Sequence, residues 1–490
     1  MRFLLDTNVL IPLEDSSITL GPSLASFVRL ANQHGHVLLY HPASEDDVRE
    51  DRNAQRREQT LQRLAQYSRL DAGPPCPWND VQTRINDARD NEILYALSCH
   101  AAHGLVTEDR GIHDKATHRG LAERVYTIQT ANDLLQRLHS TVAVALPNIT
   151  DVPLYNLTPQ LDSDFFNSLR EAYPGFNQWF MKKSQNGTRA WISQDAQRAL
   201  AGICIYDRQD RERITDDLVL PGTALKLATF KVGEANRGRK VGELFLKAAF
   251  RYATENRLEH IFVHGDKERH HFLFEMLREF GFELVGDHPG SDGRDAVYLK
   301  EHPVRAPNVD LPPFEYHRRY FPHFRDDPHI AKFVVPIRPE FHRVLFPEYQ
   351  SIADVQRDLF PEENYAGNAI KMAYLCRAQT RRIDPGSVIM FYRSGDDRAL
   401  TSIGVVESYE QLSDAEAIIS RVRRRTVYSL EQIVQMARSP TRVMLFRFVR
   451  HFSSPIPLHL ATSNRILNGQ PQSISRISHD AFERAFAVGG

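Results

Sequence analysis

Four acidic positions and one glycine-rich basic loop are the residues whose types and spacing bear on chemistry. Asp6 follows the mostly apolar run Arg2 to Leu5 and precedes Thr7, Asn8 and a second apolar run, Val9 to Pro12. A carboxylate at the end of a buried strand that leads into a helix lies where open α/β sheets place their ligands. Glu45, Asp46 and Asp47 stand at the start of an acidic helix. Asp90 lies one turn before Ile93 and Leu94 on an apolar helix face, and Asp109 comes just after the strand-like run Leu105-Val106-Thr107. Carboxylates about 4 Å apart repel by about 4 kcal/mol at an effective dielectric of roughly 20, so a converging set needs a divalent cation to stay ionised. Oxygen-only ligands select Mg²⁺ or Mn²⁺ over zinc, and such a cation activates water for attack on a phosphoryl group. Taken singly, each acid is also an ordinary helix cap or solvated residue.

The basic loop has a different chemistry. Residues 224–232, ALKLATFKV, alternate apolar positions at Leu225 and Leu227 and then shift phase to Phe230 and Val232, as a β-bulge produces. Arg237, Gly238, Arg239, Lys240, Val241 and Gly242 then open a helix whose apolar face carries Leu244, Phe245, Ala248, Ala249 and Tyr252. Free backbone N–H groups and a positive dipole end at such a helix start suit a pyrophosphate. The dull alternative is a solvated helix start. Glu234, His264, His271 and Glu275 are acid-base candidates by location.

The elements that must position these groups exceed one domain. At 490 residues the chain predicts about three modules. Its 42% hydrophobic and 25% charged content and mean hydropathy of -0.43 fit globular protein. No stretch is apolar for long enough to span a bilayer, and Asp6 interrupts any signal-peptide run, so the expectation is a cytoplasmic protein with no membrane partner. Cys76, Cys99, Cys204 and Cys376 form no CxxC pair, which argues against a zinc ribbon or a disulfide framework. The net charge of -1 resolves into 15 Lys+Arg against 19 Asp+Glu over residues 1–140, 25 against 27 over 141–330, and 21 against 16 over 331–490. The basic excess therefore lies at the C-terminal end. Pro-containing stretches near residues 145–164 and 302–328 divide the chain into 1–142, 150–303 and 325–490, the second stretch being rich enough in Phe and Tyr to lie along a surface.

Each part resembles a known family. LLDTNVLI, DNEILYAL and LVTEDRGI resemble the three acidic signatures of PIN domains, Mg²⁺- or Mn²⁺-dependent ribonucleases built on a parallel sheet. The resemblance implies Asp6, Asp90 and Asp109 as metal-binding carboxylates, Asp47 as the remaining catalytic acid with Glu45 and Asp46 as neighbouring alternatives, and Asn8 or Thr7 as the supporting polar residue. The Arg237 to Gly242 loop after a bulged strand resembles the acetyl-CoA loop of GNAT-type N-acetyltransferases, a mixed α/β sheet. Arg237 and Gly242 match the ends of that pattern, whereas Lys240 replaces its middle Gly and Leu277 stands where the family often has a Tyr. Residues 332–490 resemble a PUA-like β-barrel of the ASCH or EVE kind, modules that commonly contact RNA. There Arg338, Arg343, Arg381, Arg382, Arg421, Arg423, Arg424 and Arg425 are expected phosphate contacts, and Tyr374 or Tyr392 a stacking platform.

The combined expectation is an α/β multi-domain, metal-dependent endoribonuclease with a fused acetyltransferase-like domain, acting on RNA (tRNA among the candidates), of a toxin-antitoxin or stress and defence type. An antitoxin or other regulatory protein is the implied partner. The alternatives are an acetyltransferase acting on RNA, aminoacyl-tRNA or protein with the PIN-like part positioning substrate, and a non-catalytic RNA-binding scaffold.

Overall fold

A computed structural model of the chain describes residues 1–14, 21–51, 53–64, 67–70, 75–78, 85–139, 149–195, 199–233, 240–349, 369–422, 425, 428 and 430–490. The N-terminal sheet contains β1 (Arg2–Leu5), β2 (Val37–Tyr40), β3 (Ser68–Arg69), β4 (Gly104–Val106) and β5 (Val125–Tyr126), all parallel, in the order β3-β2-β1-β4-β5. The helices that follow these strands are α1 (Thr7–Glu14), α2 (Pro22–Gln33), α3 (Pro42–Arg49), α4 (Ala54–Leu64), α5 (Ile85–Ser98), α6 (Arg110–His118) and α7 (Ile128–His139). Successive strand residues point to opposite faces. Phe3, Leu5, Val106 and Tyr126 pack with Leu24, Phe27, Leu134 and Leu135 of α2 and α7. Leu4, Leu39, Leu105 and Val125 pack with Ile93, Leu97 and Ile112 of α5 and α6. Burial on both faces explains why these strands read as continuous apolar runs. Strand order reverses between β1 and β4, whose last residues Leu5 and Val106 are paired, so Asp6 and Thr107 emerge together at the switch point.

The middle sheet has seven strands: β6 (Ile149–Pro153), β7 (Arg189–Gln194), β8 (Leu200–Asp210), β9 (Thr223–Val232), β10 (His260–Asp266), β11 (Glu283–Asp287) and β12 (Asp295–Glu301), in the order β11-β12-β10-β9-β8-β7-β6. Every pair is antiparallel except β9 and β10. Helices α8 (Asn167–Ala172) and α9 (Phe176–Gln185) lie on one face; α10 (Val241–Glu255) and α11 (His271–Glu279) cover the other.

Residues 302–328 lie along the fold, exposed over 304–306 and 308–310 and anchored into it farther on. They contain α12 (Pro313–Tyr320), whose Tyr316 and His317 are buried, and Phe321 beyond it packs on Phe250 with ring centroids 5.2 Å apart. The Lys300 ammonium donates to the Arg319 carbonyl. Gly281 sits at φ +80° where an added Cβ would lie 2.9 Å from the Arg319 Cα, which is why no side chain stands there.

The C-terminal sheet joins β13 (Lys332–Ile337), β14 (Lys371–Cys376), β15 (Val388–Arg393), β16 (Ala399–Leu412), β17 (Thr441–Pro457) and β18 (Ser475–Ile477) in the order β14-β17-β16-β15-β13-β18. Three register shifts bend the long β16–β17 pair. The inner face wraps around Phe333, Ile337, Met372, Phe391, Phe446 and Phe448. Among the described residues the expected barrel is thus a bent sheet whose hydrogen-bonded order stays open from β14 to β18. Its helices are α13 (Pro339–Leu345), α14 (Ala415–Val422), α15 (Leu430–Ala437), α16 (Leu458–Ser463) and α17 (His479–Gly489). Ala373, Leu375, Val443 and Leu445 belong to the same apolar cluster as Phe3 and Phe27, so the first and third sheets share a core. No described helix is long and apolar enough to cross a membrane.

Candidate functional site

At the N-terminal switch point Asp6 is 6% exposed. Its Oδ1 accepts from the Thr7 N–H at 2.8 Å and its Oδ2 from the Thr107 hydroxyl at 2.6 Å. Asn8 Nδ2 donates to Thr107 Oγ1 at 3.1 Å while its Oδ1 accepts from the Glu108 N–H at 3.1 Å, tying the β1 and β4 exits together. Asp109 caps α6, Oδ1 accepting from the Gly111 N–H at 2.6 Å and the Ile112 N–H at 3.3 Å. Burial pushes the Asp6 carboxyl up to about 6, against its two hydrogen bonds, and the charges of Asp90 and Asp109 push the same way. Asp90 is raised too, first by burial and then by Asp109 and Asp87, with Lys115 opposing. Asp6 thus lies within electrostatic reach of Asp90 and Asp109.

Two cations already stand beside it. Lys115 Nζ lies 2.8 Å from Asp90 Oδ2 and 2.8 Å from Asp87 Oδ1. Asp47 Oδ1 accepts from Arg89 Nη1 at 2.5 Å, and its Oδ2 from the Thr7 hydroxyl at 3.3 Å. Glu45 is turned away into ion pairs with Arg49 and Arg69. Among the described residues, Asp6, Asp90 and Asp109 do not bring ligand atoms all within 4.8 Å of one another. The side chains would offer a hard divalent cation oxygen ligands only, with Asp6 buried. Lys115 and Arg89 are residues that sequence reasoning missed. Lys115 follows Asp90 by 25 positions, so no local pattern announces the pair.

In the middle sheet the bulge falls where the phase shift placed it: Ile205 pairs with Thr229 but Tyr206 with Leu227, leaving Ala228 unpaired. β9 and β10 pair only from Leu225–Leu227 to Ile261–Val263, so no strand pairing joins Ala228–Val232 to His264–Asp266 across the opening beyond. Phe230 and Val232 are half-buried along it, and an added Cβ on Gly242 would lie 3.1 Å from Met276 Sδ. Val241 is buried in the core instead of facing a ligand. Arg237, Gly238 and Arg239, with Glu234, lie outside the described residues.

Lys240 is the main correction at this site. Its backbone is left-handed at φ +60°, and its Nζ donates to the Lys371 carbonyl at 3.0 Å rather than reaching into the loop. Burial lowers its pKa to about 7. The Lys371 N–H in turn donates to Glu243 Oε1 at 2.5 Å, so the start of β14 is fastened to the first turn of α10. Leu277 is core. His264 stacks on His288 at 3.9 Å and burial lowers its pKa to about 3, whereas His271 and Glu275 face α6 of the N-terminal part and not the opening between β9 and β10.

The C-terminal expectations divide. Arg425 is 6% exposed and bridges Glu123 at 2.8 Å and Glu407 at 2.9 Å, which makes it an internal strut rather than a phosphate contact. Tyr374 and Tyr392 are core residues, not stacking platforms. Arg421 pairs with Glu410. Arg338, Arg381 and Arg382 are exposed, as is Arg343 beside Asp396, and Arg423 and Arg424 lie outside the described residues.

No family model matches the chain, and no curated protein matches it. Solved structures are similar to parts of it. The ASCH protein from Zymomonas mobilis is 16% identical, covering 32% of this chain and 96% of that one at a TM-score of 0.26. A putative acyl-CoA N-acyltransferase from Klebsiella pneumoniae is 15% identical over 32% of this chain and 99% of its own, with a TM-score of 0.23. The GNAT family N-acetyltransferase YhbS from Escherichia coli, solved in complex with CoA, is 16% identical over 33% and 85%, with a TM-score of 0.24.

Proposed function

We propose that the chain is a divalent-cation-dependent endoribonuclease whose N-terminal part cleaves RNA at Asp6, Asp90 and Asp109, with Asp47 as an outlying acid. The observation that carries this reading is the placement of Asp6 and Thr107 at the topological switch point of an all-parallel sheet, with Asp109 two residues beyond at the start of α6 and the charges of Asp90 and Asp109 acting on the Asp6 carboxyl, which burial first of all pushes up to about 6. A bound Mg²⁺ or Mn²⁺ would supply an activated water and neutralise charge on the phosphoryl oxygens. Thr7 and Thr107 fix both oxygens of Asp6, and Asp109 is held by the α6 amides. Lys115 pairs with Asp90, and a bound cation would compete with it for that carboxylate. The exposed Arg338, Arg381 and Arg382 supply the RNA-holding surface in this reading. A toxin or stress-defence setting, with an antitoxin or regulatory partner, rests on the family resemblance alone. Total RNA incubated with Mn²⁺ tests the assignment: the wild type cleaves, and Asp6→Asn and Asp109→Asn do not. Cleavage unaffected by both substitutions would remove it.

A second activity, acyl transfer from acetyl-CoA, is favoured by the bulge at Ala228 and the parting of β9 from β10. Phe230 and Val232 would flank the acyl arm, and the backbone ahead of Gly242 would meet the pyrophosphate. Calorimetry with CoA should show binding by the wild type and weakening in Arg237→Ala. No binding by the wild type would leave the middle part as a scaffold.

A further inference from the structure

His271, the first residue of α11, directs its Nε2 between two carboxylates from different parts of the chain. Asp114 Oδ1, on α6, lies 3.2 Å away, and Glu275 Oε1, one turn along α11, lies 3.5 Å away. Nε2 is enclosed and makes no well-directed hydrogen bond to either. The three ligand atoms lie within 4.8 Å of one another, the sole such group of His, Cys, Asp and Glu among the described residues. Ligands at about 2.0–2.1 Å from a tetrahedral zinc ion are roughly 3.3 Å apart, close to the separations of His271 Nε2 from both carboxylates. The Thr117 hydroxyl donates to Glu275 Oε1 at 2.9 Å, an outer hydrogen bond of the kind that orients a metal-binding carboxylate. Phe272 packs edge-on against His113 at 4.9 Å and holds the start of α11 to α6.

We propose that Asp114, His271 and Glu275 bind one borderline divalent cation of the zinc class, clamping the N-terminal part to the middle part and leaving a fourth position for water. One imidazole with two carboxylates is softer than the oxygen-only set at Asp6, so the two sites prefer different metals. The clamp holds α6, the helix that Asp109 caps and that carries Lys115. It rests on neither enzymatic reading and can fail or hold independently of both.

The full chain, stripped with a chelator and dialysed, would be titrated with ZnCl₂ in excess Mg²⁺, with Co²⁺ as a spectroscopic probe. One equivalent of Zn²⁺ should bind, raise the melting temperature, and be replaceable by Co²⁺ with the visible absorption of a four-coordinate ion. Asp6→Asn should bind zinc as the wild type does. His271→Gln and Asp114→Asn should lose the stoichiometric site, and Thr117→Val should weaken it by roughly tenfold. If metal-free His271→Gln is unfolded, Asp114→Asn carries the comparison, since its side chain is half exposed. An absence of one-to-one binding in the wild type, leaving only a His271–carboxylate ion pair, overturns the proposal. So does binding undiminished in Asp114→Asn.

Discussion

Lys240 donates its ammonium to the main-chain carbonyl of Lys371 at 3.0 Å, across 131 positions of sequence. The contact joins the helix start that would cradle a pyrophosphate to the edge strand β14 of the C-terminal sheet. Glu243 of α10 and Glu279 of α11 receive the amide and ammonium of Lys371, so three hydrogen bonds tie Lys371 to this side of the middle part.

Burial depresses the pKa of Lys240 to about 7 from an ordinary 10.5. The sign follows: the folded state prefers the neutral amine, so this group is without cost above about pH 10.5 and increasingly costly as pH falls toward 7, below which the cost is constant. Lys240→Met should therefore melt above the wild type at pH 6, with the gain shrinking toward pH 10. A gain that grows with pH would reverse the assignment.

Arg425 sits between Glu123 and Glu407 with almost no exposure. Removing one partner of a buried ionic group costs about 3–5 kcal/mol. Arg425→Ala should lower the denaturation midpoint by that scale and leave the salt dependence of RNA binding unchanged, whereas Arg382→Ala should change the salt slope and not the stability.

Gly281 adopts φ +80° against the backbone of α12. A Cβ there incurs the left-handed penalty of about 1–2 kcal/mol before any clash. Gly281→Ala should destabilise the chain by more than that in urea melts, and faster proteolysis within residues 302–328 should accompany it.

His36 and His139 meet through their Nε2 atoms at 2.7 Å, and His139 stacks on His34 at 3.7 Å. Burial first, then neighbouring positive groups, lowers His36 to about 3 and His139 to about 4 from 6.5. Groups depressed in this way are without cost above about pH 6.5 and destabilise the fold increasingly as pH falls from there toward 4. Melting temperature should drop across that window, less steeply in His139→Asn than in the wild type.

What the sequence made legible were features carried by neighbours along the chain. Asp6 after a buried strand, the bulge ahead of Phe230 and the helix cap at Asp109 each depend on a few adjacent residues. Tyr374 and Tyr392 were misread because alternation in a strand does not say which face meets a second core. Lys240, Arg425 and Lys115 were misread or missed because their partners lie 131, 302 and 25 residues away. The aromatic-rich segment 302–328 looked like a connector, yet Tyr316 and His317 are buried in a helix that joins two sheets.

A divalent cation held by Asp6, Asp90 and Asp109, as proposed, would activate water against a phosphodiester. Water as nucleophile, in place of the ribose 2′-hydroxyl, leaves linear rather than 2′,3′-cyclic phosphate ends. End-group analysis of RNA incubated with wild type and Asp6→Asn, with Mn²⁺ or with EDTA, tests this most directly. Linear ends, dependence on Mn²⁺ and loss of cleavage in Asp6→Asn are expected. Cyclic phosphate ends, or cleavage that persists in EDTA or in Asp6→Asn, would contradict it.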